Sequence, residues 1–110
     1  MINFDEIKFS DFWNQLSKLL QERHDFETID QKKKFEARNS IQSIVVTLES
    51  SGGKRIVKQD EFVTVWRLAR KLPKDQFLKP SNYTNDTHNS SYIVTLMKVI
   101  LESWELFSKF

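Results

Sequence analysis

Apolar positions along this chain recur with two different periods, and the changes of period divide it into four pieces. Over residues 9–20, Phe9, Phe12, Trp13, Leu16, Leu19 and Leu20 fall at i, i+3, i+4, i+7, i+10 and i+11. That spacing is one broad stripe on an amphipathic helix, with Ser10 placed as an N-cap and Asp11 favourable in the first turn. Asn3 and Glu6 offer an earlier cap, so the pattern leaves the start open. Core packing accounts for every residue of the stripe.

From 33 to 58 the helical spacing gives way to strand character. Ile44-Val45-Val46-Thr47-Leu48 is rich in β-branched strand formers. Ser50-Ser51-Gly52-Gly53 supplies positive-φ residues for a tight turn, and Lys54-Arg55-Ile56-Val57-Lys58 resumes as a second strand. Lys34-Phe35-Glu36-Ala37-Arg38 alternates apolar and charged residues. It reads either as a third antiparallel strand turning at Asn39-Ser40 or as a short helix over 30–37.

A second helix is predicted over 60–72, with Asp60 as N-cap, Glu61 in the first turn and a stripe of Phe62, Val65, Trp66, Ala69 and Leu72. Pro73 closes it, because the residue before a proline is biased out of the helical region. Residues 73–89 form a long polar connection holding both prolines, of a length that is often functional or mobile. The strongest helix follows over about 90–107, capped by Asn89 or Ser90. Its stripe is Tyr92, Ile93, Leu96, Met97, Ile100, Leu101, Trp104 and Phe107. Val94 and Val99 widen this apolar surface, which suits either a central helix or an oligomer interface. The expected fold is α+β: an N-terminal helix, a small antiparallel β-hairpin or three-stranded meander, and two further helices including the long C-terminal one.

Length and composition narrow the class. The 110 residues give a single domain, and nine Phe, three Trp and two Tyr give enough bulk for one small core. With no Cys there is no disulfide, no thiolate metal site and no thiol nucleophile. The two histidines, His24 and His88, are far apart in sequence and form no HExxH pair. Neither a cofactor nor a metal is expected. No apolar run reaches membrane-spanning length, and the acids at Asp5 and Glu6 do not suit a signal peptide, so the cytoplasm is the expected setting. The sequons at Asn82, Asn85 and Asn89 then read as chance in an Asn/Ser/Thr-rich loop.

Catalytic constellations fail on spacing. Asp86, His88 and Ser90 or Ser91 make a triad on paper only, without a GxSxG elbow. Ser51-Gly52-Gly53-Lys54-Arg55 lacks phosphate-loop spacing and joins two strands, as a hairpin turn does. Asp5/Glu6 and Asp60/Glu61 sit near helix starts, where capping and the dipole explain them. Glu36 and Glu49, the acids of the strand region, lack the following x-Lys of a nuclease site. A non-enzyme is expected.

The formal net charge of +2 conceals a strong division. Residues 1–31 carry −4, residues 32–53 carry +2, residues 54–79 carry +5 and residues 80–110 carry −1. Lys54, Arg55 and Lys58 lie on the hairpin, and Arg67, Arg70, Lys71 and Lys74 follow on the next helix and its exit. A hairpin leading into a helix can set these groups on one surface that attracts phosphates. Thr87, His88, Asn89, Ser90 and Ser91 are donors suited to phosphate oxygens or base edges, and the helix start at Ser90 could receive a phosphate. The plainer alternative is that the cations are solvated or balanced by the acids from Asp5 to Asp30. Lys32-Lys33-Lys34 is too short to be a basic tail.

The order of these features carries a family resemblance. A basic strand precedes an apolar strand ending in Ser-Gly-Gly. Then come Lys54-Arg55-Ile56-Val57, the helix Glu61-Phe62-Val63-Thr64-Val65-Trp66, and Thr87-His88-Asn89-Ser90-Ser91-Tyr92-Ile93 opening the last helix. Over about residues 33–101 the chain resembles the small accessory DNA-binding domains beside the nuclease domain of some restriction endonucleases. It departs in carrying His88 where a base-contacting Arg is expected, and in having no nuclease domain. The resemblance implies a free-standing DNA-binding module. In it Asn89, Ser90 and Ser91 open a helix facing the duplex, and Lys54 and Arg55 track a phosphate strand. The alternative is a protein-interaction module (an adaptor, inhibitor or immunity-type protein) forming a homodimer through the C-terminal helix.

Overall fold

A computed structural model describes residues 4–108 of the chain. Asn3, and the Phe107 side chain at the end of the last predicted stripe, lie outside the described residues. The elements in order are a 3-10 turn at Phe4–Glu6, α1 (Phe9–Glu22), β1 (Asp25–Glu27), β2 (Lys34–Ser40), β3 (Ser43–Leu48) and β4 (Lys54–Lys58). Then come α2 (Gln59–Ala69), a 3-10 turn at Pro80–Tyr83, and α3 (Ser90–Ser108). The fold is α+β, with four antiparallel strands in the order β1-β2-β3-β4.

The register separates the two faces of the sheet. Phe26 opposes Phe35, Ala37 opposes Val46, and Ile44 opposes Val57. All six are buried and form the floor of the core. The intervening rows, Asp25–Glu36–Thr47–Lys54 and Arg38–Val45–Ile56, point the other way. The helices meet the first face. Tyr92 of α3 stands edge-on to Phe35 with ring centroids 5.1 Å apart. Asn39, on the same face of β2, donates its side-chain N–H to the Ser17 carbonyl of α1 at 2.8 Å.

An aromatic cluster joins the helices. Phe12 stacks on Trp66 at 4.9 Å, Trp13 meets Phe62 edge-on at 5.2 Å, and Phe4 packs against Trp66 at 4.5 Å. α3 is the central helix, with Ile93, Val94, Leu96 and Met97 fully buried. Val94 therefore faces the chain's own core, because α3 touches α1, α2 and the 80–83 turn as well as the sheet residue Phe35. Val99, Leu101 and Trp104 are half-buried against the same core.

Several boundaries differ from the sequence expectation. Lys34–Ser40 is a strand rather than a helix over 30–37, and its turn falls at Ile41-Gln42, with Gln42 at φ 50°, instead of Asn39-Ser40. β1 is an additional strand. Its three residues carry one apolar side chain, and a turn in which the Lys33 N–H donates to Thr28 Oγ1 at 2.9 Å directs it onto the edge of β2. α1 begins at Phe9, so Ser10 is inside the helix and Lys8 stands at the cap without a side-chain bond. α2 begins at Gln59, which moves Asp60 into the first turn. It ends at Ala69, and the Lys71 and Leu72 N–H groups close single turns on the Leu68 and Ala69 carbonyls.

The 73–89 connection is packed. Tyr83 is fully buried and its hydroxyl donates to the Phe77 carbonyl at 2.6 Å, while the Asn82 side chain donates to the Gln76 carbonyl at 2.7 Å. In the β3–β4 hairpin Gly52 takes φ +70°, a conformation that side chains disfavour, and its N–H donates to the Leu48 carbonyl at 2.8 Å.

Candidate nucleic-acid interface

Alternation along β4 separates the cations that sequence order brings together. Lys54 and Lys58 flank Ile56 on the open face, whereas Arg55 opposes Val46 on the helix-covered face. There the Arg55 guanidinium lies 5.6 Å from the centre of the Tyr92 ring and reaches toward the His88 carbonyl at 3.5 Å. Lys54 and Arg55 thus diverge from neighbouring positions. On α2 the side chains of Asp60, Thr64 and Arg67 are exposed, and Lys71 and Lys74 follow, also exposed. Arg70 turns toward the N-terminal segment, donating to the Ile7 carbonyl and lying 6.0 Å from the Phe4 ring centre.

The polar residues before α3 form an internal network centred on Glu61. One carboxylate oxygen, Oε1, accepts from Thr87 Oγ1 at 2.8 Å and from Asn89 Nδ2 at 2.9 Å. The other, Oε2, accepts from the Lys58 backbone N–H at 2.9 Å, and Thr87 Oγ1 accepts from the Asn89 N–H at 3.0 Å. Burial pushes the Glu61 carboxyl up. The Asn89 side chain, the Lys58 N–H, the Thr87 hydroxyl and the Lys58 charge outweigh it, so the carboxyl titrates below its ordinary value. Helix α3 thereby has its start pinned to that of α2.

Of the five residues expected to read DNA from this loop, four face inward or are engaged. Thr87 and Ser90 are buried, Asn89 is held by Glu61, and the Ser91 hydroxyl donates to Asp30 Oδ2 at 2.9 Å. A phosphate approaching the start of α3 would meet the Asp30 and Glu61 carboxylates, so this helix end does not suit an anion. His88 alone of the five is exposed.

The cations elsewhere are in a different state. Among the described residues the ion pairs are Arg38–Glu36 at 2.6 Å and Lys98–Glu102 at 3.7 Å. Lys54, Arg67, Lys71 and Lys74 therefore have no carboxylate partner there, while the Lys58 charge acts on Glu61. No group of three or more His, Asp or Glu among the described residues could hold a metal ion. No helix of the described residues is long and apolar enough to cross a membrane.

Sequence reading missed Asp30, Ile41 and Ile56, and assigned Glu61 to capping alone. Sequence placed Glu61 in a first turn behind an Asp60 cap, whereas its carboxylate reaches back to the Lys58 N–H. Its links to Thr87 and Asn89, 26 and 28 residues away, had no local signal.

Fold and surface together define a two-layer α+β domain with helices on one face of the sheet and an open face on the other. No family model, no curated protein and no solved structure matches this chain.

Proposed function

We propose that the chain is a small, non-catalytic DNA-binding protein that holds the phosphate backbone with cations of the β4–α2 segment. The observation that carries this is the exposed set Arg67, Lys71 and Lys74, none with a carboxylate partner among the described residues. Unpaired cations on a segment of net +5 create a positive field, and displacing condensed counterions from DNA makes such binding strong at low salt. The resemblance over 33–101 supports DNA as the polyanion. A cytoplasmic setting goes with that partner.

Base readout is a smaller part of this function than the loop composition suggests. Thr87, Asn89 and Ser91 hydrogen-bond within the fold, which leaves positioning on phosphates as the main term. The network's role is to brace the α2 start that presents the cations. DNA affinity measured over a salt series tests this. We expect steep weakening with salt, and replacing Arg67 and Lys71 together by Ala reduces the logarithmic salt slope by about 2 while leaving the melting temperature unchanged. Absence of binding at low salt, or an unchanged slope in the double variant, overturns it.

A further inference from the structure

The open face of the sheet carries apolar groups that the fold does not use. Val45 and Ile56 are cross-strand partners there, and Ile56 and Ile41 line one shallow depression with Lys58 and Asp60. Ile56 is 64% exposed and Ile41 is 91% exposed, whereas the other large apolar side chains of the described residues are buried or half-buried. Turn chemistry does not call for Ile41, since two-residue hairpin turns favour Asn, Asp or Gly.

Charge on the same face is divided. β1 and β2 bring Asp25, Glu27 and Glu36 with Lys34 and Arg38, and β4 brings Lys54 and Lys58 and no acid. One cross-strand row runs Asp25, Glu36, Thr47, Lys54, from acid to base. That row, acid at one end and base at the other, with apolar Val45 and Ile56 beside it, is complementary to a second copy of itself.

We propose that this open face is the contact between two copies of the chain. Two sheets packed face to face keep their strands within about 30° of each other. A two-fold axis along β3 sets Val45 against Val45 of the partner subunit and lays β4 over the partner's β2. Lys54 then faces the partner's Glu36, and Ile56 rests on the aliphatic stem of the partner's Arg38. An axis across the strands would instead bring Lys54 onto the partner's Lys58, so charge selects the first arrangement. The contact is isologous, and closure at two copies leaves no open surface for further growth. α2 lies on the opposite face of the sheet, so Arg67 and Lys71 stay free. The dimer does not depend on DNA binding.

Sedimentation velocity over a concentration series tests the proposal. The wild-type chain is expected to pass from monomer to dimer, and Ile56→Glu and the milder, strand-compatible Ile56→Thr both to shift that transition to higher concentration. Lys54→Glu and Glu36→Lys each weaken self-association about tenfold or more by setting like charges together. An equimolar mixture of the two variants restores the dimer, because every facing pair is then opposite in sign. A wild-type monomer at all concentrations, a dimer indifferent to both Ile56 substitutions, or a mixture that fails to associate overturns it. A monomer that binds DNA overturns the dimer alone; a dimer that ignores DNA overturns only the proposed function.

Discussion

Glu61 accepts hydrogen bonds from two directions, the Lys58 N–H behind it and the Thr87 and Asn89 side chains across the fold. These bonds favour the ionised form, so its folded pKa lies below the ordinary 4.5. The stabilisation is therefore complete above that ordinary value and is lost as pH falls through it and then through the lower folded value. Glu61→Gln is expected to cost about 1–2 kcal/mol at neutral pH, since it weakens bonds to a charged acceptor. Melts at neutral pH and at roughly pH 3 should show the gap to wild type shrinking in acid. A gap of constant size would show that the charge of Glu61 is not what holds the network. Arg55 shows the same dependence on surroundings. Its neighbours in sequence are a solvated lysine and an exposed isoleucine, yet the strand pleat points it at Tyr92.

At the scale of elements, period and composition marked the β3–β4 hairpin and all three helices. They left 34–38 open between strand and helix, because a five-residue alternation is compatible with both periods. The partner strand decides it: Phe35 and Ala37 reach the core only as alternate residues of β2 opposite Leu48 and Val46. The 73–89 connection was legible as polar and long but not as packed. One aromatic, Tyr83, organises it from beneath, and burial without an ionic partner raises its hydroxyl to about 12. It stays protonated at neutral pH and keeps its bond to the Phe77 carbonyl. Tyr83→Phe leaves that carbonyl without its donor, and we expect a loss of about 1–2 kcal/mol in denaturant unfolding. No change in stability would mean that water replaces the hydroxyl.

Over the whole molecule one core cluster joins helices and sheet, so local damage should be felt globally. Phe12 is its hinge point, fully buried and in ring contact with Phe9, Phe62 and Trp66. Phe12→Ala should cost about 3–5 kcal/mol, a large part of the stability of a small domain. A single denaturant transition moved to much lower concentration is the expected result; a small shift would show that the cluster repacks. The charge division read from sequence is kept among the exposed side chains, with cations on β4, on α2 and beyond, and a run of exposed acids from Asp5 to Asp30.

Sequence alone determined the α+β class, the hairpin, the apolar stripes and the uneven distribution of charge. These depend on periodicity and composition, which are properties of neighbouring residues. Only the tertiary structure decided that Thr87, Asn89 and Ser91 are engaged within the fold, that Lys54 and Arg55 part company, and that Ile41 and Ile56 are left outside the chain's own core. Each of those outcomes is set by what lies opposite a side chain across the sheet or the core. A partner brought from tens of residues away leaves no mark on the local pattern.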